Sequence, residues 1–142
     1  MSNWTLQPGE WARPKGYANG IGARGTTIFV AGQIGWNAEA QFESDSLAEQ
    51  VKQALRNIVR VLKEAQAEPR HIVRLTWYLI SRERYLQELR EIGEAYREVL
   101  GKCFPAMSVV EVRALIEQRA LVEIEATAVV PDDESDGHLA PA

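Results

Sequence analysis

The 142-residue chain is 46% hydrophobic and 25% charged, which suits one soluble domain and excludes a disordered chain, a collagen-like repeat and a disulfide scaffold. Its formal net charge is -4, and Asp132, Asp133, Glu134 and Asp136 account for all of it. The remaining body is formally neutral, so it lacks the electrostatic footprint expected for nucleic acid or an anionic membrane. The single Cys103 can form no internal disulfide, the N-terminal residues lack an apolar signal core, and no apolar run reaches membrane-spanning length. A cytoplasmic protein is the expectation.

Residues 1–16 carry Trp4 and Trp11 among prolines and glycines, and suggest an irregular or edge segment tied down by its aromatics. Tyr17 to Ala23 is a short strand weakened by Gly20 and Gly22. Thr26 to Ala31 is a strand rich in β-branched residues, followed by a loop to about Glu43. Ser44 to Ala67 is the strongest helix, with Leu47, Val51, Leu55 or Ala54, Ile58, Val59 and Leu62 forming one stripe. Ser46 and Glu49 match a capping box, and Pro69 marks its end.

Ile72 to Ile80 alternates as a strand, with Val73, Leu75, Trp77 and Leu79 on one face and Arg74, Thr76 and Tyr78 on the other. A continuous second helix is expected from about Arg82 to Leu100, burying Tyr85, Leu89, Ile92, Tyr96 and Val99 and capped by Gly101. Ala106 to Leu115 and Ala120 to Val130 follow as strands. The order β-β-α-β-α-β-β predicts an α+β fold: one mixed sheet with two helices on one face. Residues 1–131 make one domain, and 132–142 an acidic, disordered tail.

The other sheet face has a mixed character. Glu123, Glu125 and Thr127 share one side of the last strand, against Val122, Ile124, Ala126 and Ala128. Met107 and Val109 share a side with Glu111 and Arg113 and are expected on this same open face. Such a face is either solvated or a subunit interface.

Chemistry-bearing residues are sparse. His71 and His138 support no Ser-His-Asp triad, and no metal-ligand spacing, GxGxxG or Walker motif occurs. Cys103 follows a helix C-terminus, the wrong end for lowering a thiol pKa, and reads as a packed thiol. Trp36 leaves a strand where a ligand wall or simple packing would place it. The arginines Arg82, Arg84, Arg90 and Arg97 are ordinary partners for neighbouring glutamates on the second helix.

The segments Gly16-Tyr17, Ile28-Phe29-Val30-Ala31-Gly32-Gln33-Ile34, Phe104-Pro105-Ala106 and Ala120-Leu121-Val122-Glu123-Ile124-Glu125-Ala126 change the picture. Together they resemble the Rid family (RidA/YjgF), enamine/imine deaminases also described as translation inhibitors or endoribonucleases. The resemblance spans about Lys15 to Val130. It implies a chorismate-mutase-like fold and a homotrimer with three clefts between subunits. It implies hydrolysis of 2-enamino or 2-imino acids to 2-keto acids and ammonia, without metal or cofactor.

By position, the resemblance assigns substrate contacts to Tyr17, Ala31 and Gly32, and water placement to Glu123. The family's carboxylate-clamping arginine falls on Met107 within Pro105-Ala106-Met107-Ser108, and its cysteine on Val109. Methionine has no hydrogen-bond donor, so the chain resembles the Rid subfamilies that lack the arginine. A site-facing asparagine of the family falls on Arg90, which either enters the cleft or stays exposed beside Glu91 or Glu94. The substrate-binding set is thus Tyr17, Ala31, Gly32, Trp36, Arg90, Met107, Ser108 and Val109. The leading reading is a trimeric hydrolase acting on an imine, enamine or related small metabolite. The alternative is a non-catalytic trimer that binds a small molecule. Ribonuclease action fits poorly with a neutral body, so neither nucleic acid nor membrane is an expected partner.

Overall fold

The computed structural model describes residues 3–135. His138 and residues 136–142 of the expected tail lie outside the described residues. Eleven elements occur among the described residues: β1 Asn3–Leu6, β2 Gly20–Ala23, β3 Thr26–Ile34, α1 Leu47–Lys63, a 3-10 turn Pro69–His71, β4 Ile72–Leu79, α2 Arg82–Gln87, α3 Leu89–Leu100, β5 Ala106–Glu111, β6 Val122–Val130 and α4 Asp132–Ser135. No described helix is long and apolar enough to cross a membrane.

The main sheet has the order β3-β6-β4-β5. β6 pairs antiparallel with both β3 and β4, whereas β4 and β5 run parallel and are joined by the α2–α3 crossover. The two-helix layer of α1 and α3 packs on one face, as the α+β reading expects. The apolar stripe of α1 supplies the centre of the core: Leu47, Val51, Ala54, Leu55, Ile58 and Leu62 are all nearly or fully buried. Emptying one of the larger of these positions to alanine costs roughly 2–5 kcal/mol. Gln50 lies on the same stripe, although its polarity hides it in the pattern. It is buried because its Nε2 donates to the carbonyls of Ser44 and Arg119 and its Oε1 accepts from Leu121 N–H.

Several expected boundaries move. The segment 3–6 forms a real strand: β1 pairs with β2, and the Trp4 indole lies over Gly22. The strand expected from Tyr17 begins only at Gly20. Ser46 caps α1 by accepting from Glu49 N–H at 3.3 Å, but its own N–H donates to Ser44 Oγ instead of to the Glu49 carboxylate. The helix stops at Lys63, four residues before Ala67, and Pro69 opens the 3-10 turn. The second helix is two helices. Glu88 interrupts it with φ -108°, held there as its carboxylate accepts from Arg84 Nε and Ala48 N–H. β5 ends at Glu111 and β6 starts at Val122, so both are shorter than expected.

The alternation of β6 is as expected: Val122, Ile124, Ala126 and Ala128 are buried, and Glu123, Glu125 and Thr127 face away from the helices. Met107 and Val109 are on the other side from the one expected. The parallel register sets Met107 opposite Leu75 and Val109 opposite Trp77, which turns both toward the helices. Glu111 follows on that side and accepts from Arg82 N–H at the start of α2.

The acidic segment begins with a helical turn, where Glu134 bonds to Arg70 and to His71. His71 is buried, and its Nδ1 accepts from Glu68 N–H at 2.9 Å. Its proton is therefore on Nε2, which donates to Glu134 at 2.9 Å. The Arg70 bond, then the His71 bond, draws the Glu134 carboxyl down to about 2. A depressed carboxylate contributes stability that is complete above its ordinary value of 4.5 and lost as pH falls from there toward 2. The urea midpoint of Glu134→Gln should therefore lie below that of the native protein near pH 6, with the gap narrowing below about pH 4.5 and closing only below about pH 2. A gap that persists at low pH would show that the clasp is not carboxylate-driven.

Candidate active site

Two groups of residues stand out, one on each face of the sheet. On the helix face, a cavity of about 650 Å³ opens between β5, α3 and the segment before β2. Ala18 N–H donates to Pro105 O at 2.9 Å, and Ala18 bridges to Ala106 in parallel fashion. That tie sets Tyr17 at the cavity wall beside Met107 and Val109.

Trp77 of β4 forms the floor. Its ring stacks on Tyr96 at 6.2 Å between centroids and meets Tyr85 edge-on at 6.3 Å. Burial raises both phenols, that of Tyr96 strongly. Tyr96 Oη donates to Cys103 O at 2.7 Å, and Cys103 Sγ donates to Pro69 O. Burial raises the Cys103 thiol too, so it stays protonated within the core and is poorly suited to act as a nucleophile.

The second group is on the open face. β3 and β6 shift register between Val30 and Gln33, and Ala31 and Gly32 sit in this bulge without ladder partners. The Glu123 carboxylate lies directly over Gly32: a methyl group there would overlap its Oε2. Beside Glu123, Tyr78 Oη donates to Glu125 Oε1 at 2.6 Å. That bond, reinforced by burial and by the nearby carboxylates, raises the Tyr78 phenol.

The structure thus gathers Tyr17, Met107 and Val109 on one side and Ala31, Gly32 and Glu123 on the other. Three candidates lie apart. Trp36 packs on Phe42 at 6.0 Å, and its carbonyl accepts from Asn57 Nδ2, which anchors the loop after β3. Arg90 is almost fully exposed and pairs with Glu94 at 3.5 Å, while its neighbours Leu89 and Gly93 line the cavity. Ser108 sits opposite Thr76 on the open face and is exposed.

Sequence reasoning missed Trp77 and Arg97 as cavity residues. Arg97 was expected to pair with a helix glutamate, but it lies back over Gly93, with Nη1 3.3 Å from where a β-carbon would stand, and lines the cavity. A mid-helix glycine four residues before an arginine was the available signal. Among the described residues, no group of three or more His, Cys, Asp or Glu is placed to hold a metal ion.

Known proteins share this architecture. The family model described as Endoribonuclease L-PSP matches residues 11–130. The human 2-iminobutanoate/2-iminopropanoate deaminase is 33% identical over 104 residues, 72% of either chain. A RutC family protein of Pyrococcus abyssi is 36% identical over 105 residues, 73% of this chain and 79% of its own. Among solved structures, a protein of unknown function of the conserved Rid protein family from Yersinia pestis superimposes with a TM-score of 0.82 at 30% identity. That match covers 92% of this chain and 100% of the other.

Proposed function

Since the chain belongs to the endoribonuclease L-PSP family, we propose that it is a homotrimeric Rid-type hydrolase acting on reactive imines or enamines in clefts between subunits. The observation that carries this reading is the seating of the Glu123 carboxylate on Gly32, at a bulge on the open sheet face. A carboxylate set beside a backbone bulge can hold a water molecule and take its proton. The water oxygen adds to the C=N carbon, and the nitrogen gains a proton. The carbinolamine then loses ammonia as the C–N bond breaks and the C=O bond forms.

One subunit cannot supply both halves of this site, because Glu123 and Met107 face opposite sides of the same sheet. A neighbouring copy can bring its cavity to the open face, whose Phe29 is 80% exposed. Light scattering at micromolar concentration should give three times the chain mass of 15.9 kDa; a clean monomer would sink the composite site.

Met107 offers no donor to a substrate carboxylate. Turnover of 2-iminobutanoate, generated in place by an amino-acid oxidase, should therefore be weak. Met107→Arg should raise kcat/KM for it by about 30-fold, since a charge-assisted pair in a cleft is worth on the order of 2 kcal/mol. The same methionine favours the second reading, a trimer that binds a metabolite without converting it. That reading prevails if neither the native protein nor Met107→Arg hydrolyses any imine.

A further inference from the structure

The cavity over Trp77 carries a charge pattern that the imine chemistry leaves unused. Lys15, Arg97 and Lys102 line it, and no acidic residue does. None of the three has an ion pair or side-chain hydrogen bond among the described residues, whereas Arg56 and Arg60 of α1, Arg84 of α2 and Arg90 of α3 are all paired. Trp77 gives a second, independent sign. It is 2% exposed and lines the cavity, yet its Nε1 donor has no partner. A buried indole N–H without an acceptor is destabilising. The remaining wall is largely apolar and aromatic, including Leu89, Ile92, Phe104 and Met107, and the volume far exceeds what a three- or four-carbon acid fills.

We propose that this cavity takes an organic acid with an aromatic or large aliphatic body. The carboxylate is held by Arg97, with Lys102 and Lys15 at the rim, in place of any clamp from residue 107. Gly93 makes this geometry available by leaving Arg97 room to lie along α3. The proposal rests on the hydrolase reading for its chemistry and names the substrates: imino acids derived from large apolar amino acids.

Calorimetry on the intact protein tests it with three probes: phenylpyruvate, phenylacetone (the same ring and ketone without the carboxylate) and pyruvate. Phenylpyruvate should bind on the order of tenfold tighter than either of the others. Arg97→Gln should lose about that factor for phenylpyruvate and leave phenylacetone unchanged, with Lys102→Gln losing less. Equal binding of phenylacetone, equal binding of pyruvate, no binding of phenylpyruvate, or an unaltered Arg97→Gln each overturns the proposal. The imine of phenylalanine separates this from the hydrolase reading. If phenylpyruvate binds through Arg97 but that imine is not hydrolysed, the anion site stands and the hydrolase reading falls. If native protein and Arg97→Gln hydrolyse it with equal kcat/KM, the hydrolase reading stands and the anion site falls.

Discussion

If Glu123 is the general base of the proposed imine hydrolysis, Glu123→Gln should lower kcat by about 100- to 10,000-fold, the range that loss of a positioned general base produces. The amide keeps the size of the side chain and its place over Gly32, so the fold and the oligomeric mass should not change. Only the capacity to take a proton from water is lost. Gly32→Ala should act on the same atoms from the other side. Its methyl group would occupy the space of the Glu123 carboxylate, the flexible end of a side chain, which must swing away. Activity should fall while the melting temperature changes little. An oxidase-coupled assay with a trapping amine, run beside thermal melts, checks both variants. Native-like turnover by Glu123→Gln would remove the carboxylate from the mechanism.

Gly25→Ala should destabilise the protein by about 3 kcal/mol or more, with a fall in Tm of roughly 10 °C at fixed protein concentration. Two effects add. Gly25 has φ +143°, a backbone conformation that side-chain-bearing residues adopt only under strain. A methyl group there would also overlap the Val130 carbonyl and stand 2.8 Å from Pro131 Cα, and both are backbone atoms that cannot rotate away. The turn joins β2 to β3 just where Thr26 pairs with Val130, so relief of the clash would open the end of the β3–β6 ladder. Chemical and thermal unfolding against the native protein measure the effect; a loss under about 1 kcal/mol would mean that the turn rearranges freely.

The helix stripe of α1 and the alternation of β6 are legible in the sequence because each is set by a period and one buried face. What escapes has a tertiary cause. β1 is four residues long and mostly exposed, and becomes a strand only because β2 pairs with it and Gly22 admits Trp4. The break at Glu88 contains no breaker residue; it follows from contacts that this side chain makes with Arg84 and Ala48, the latter in a distant helix. Met107 and Val109 alternate correctly, but period alone does not say which side faces the core, and the parallel register with β4 decides it. In the candidate site, Tyr17, Gly32 and Glu123 come from the family resemblance. Arg97 does not, because its place at the cavity depends on where α3 lies over the sheet and on the absent side chain of Gly93.

The position of β6 between β3 and β4 bears on how the chain acquires its shape during synthesis. Thr26 and Val130 are neighbours in the ladder yet roughly a hundred residues apart along the chain. Until Val122–Val130 has left the ribosome, β3 and β4 have no strand between them, and both present open edges beside the apolar stripe of α1. Nascent chains halted before residue 122 should consequently hold a sticky, chaperone-binding intermediate, with the sheet closing in one late step once the central strand is released.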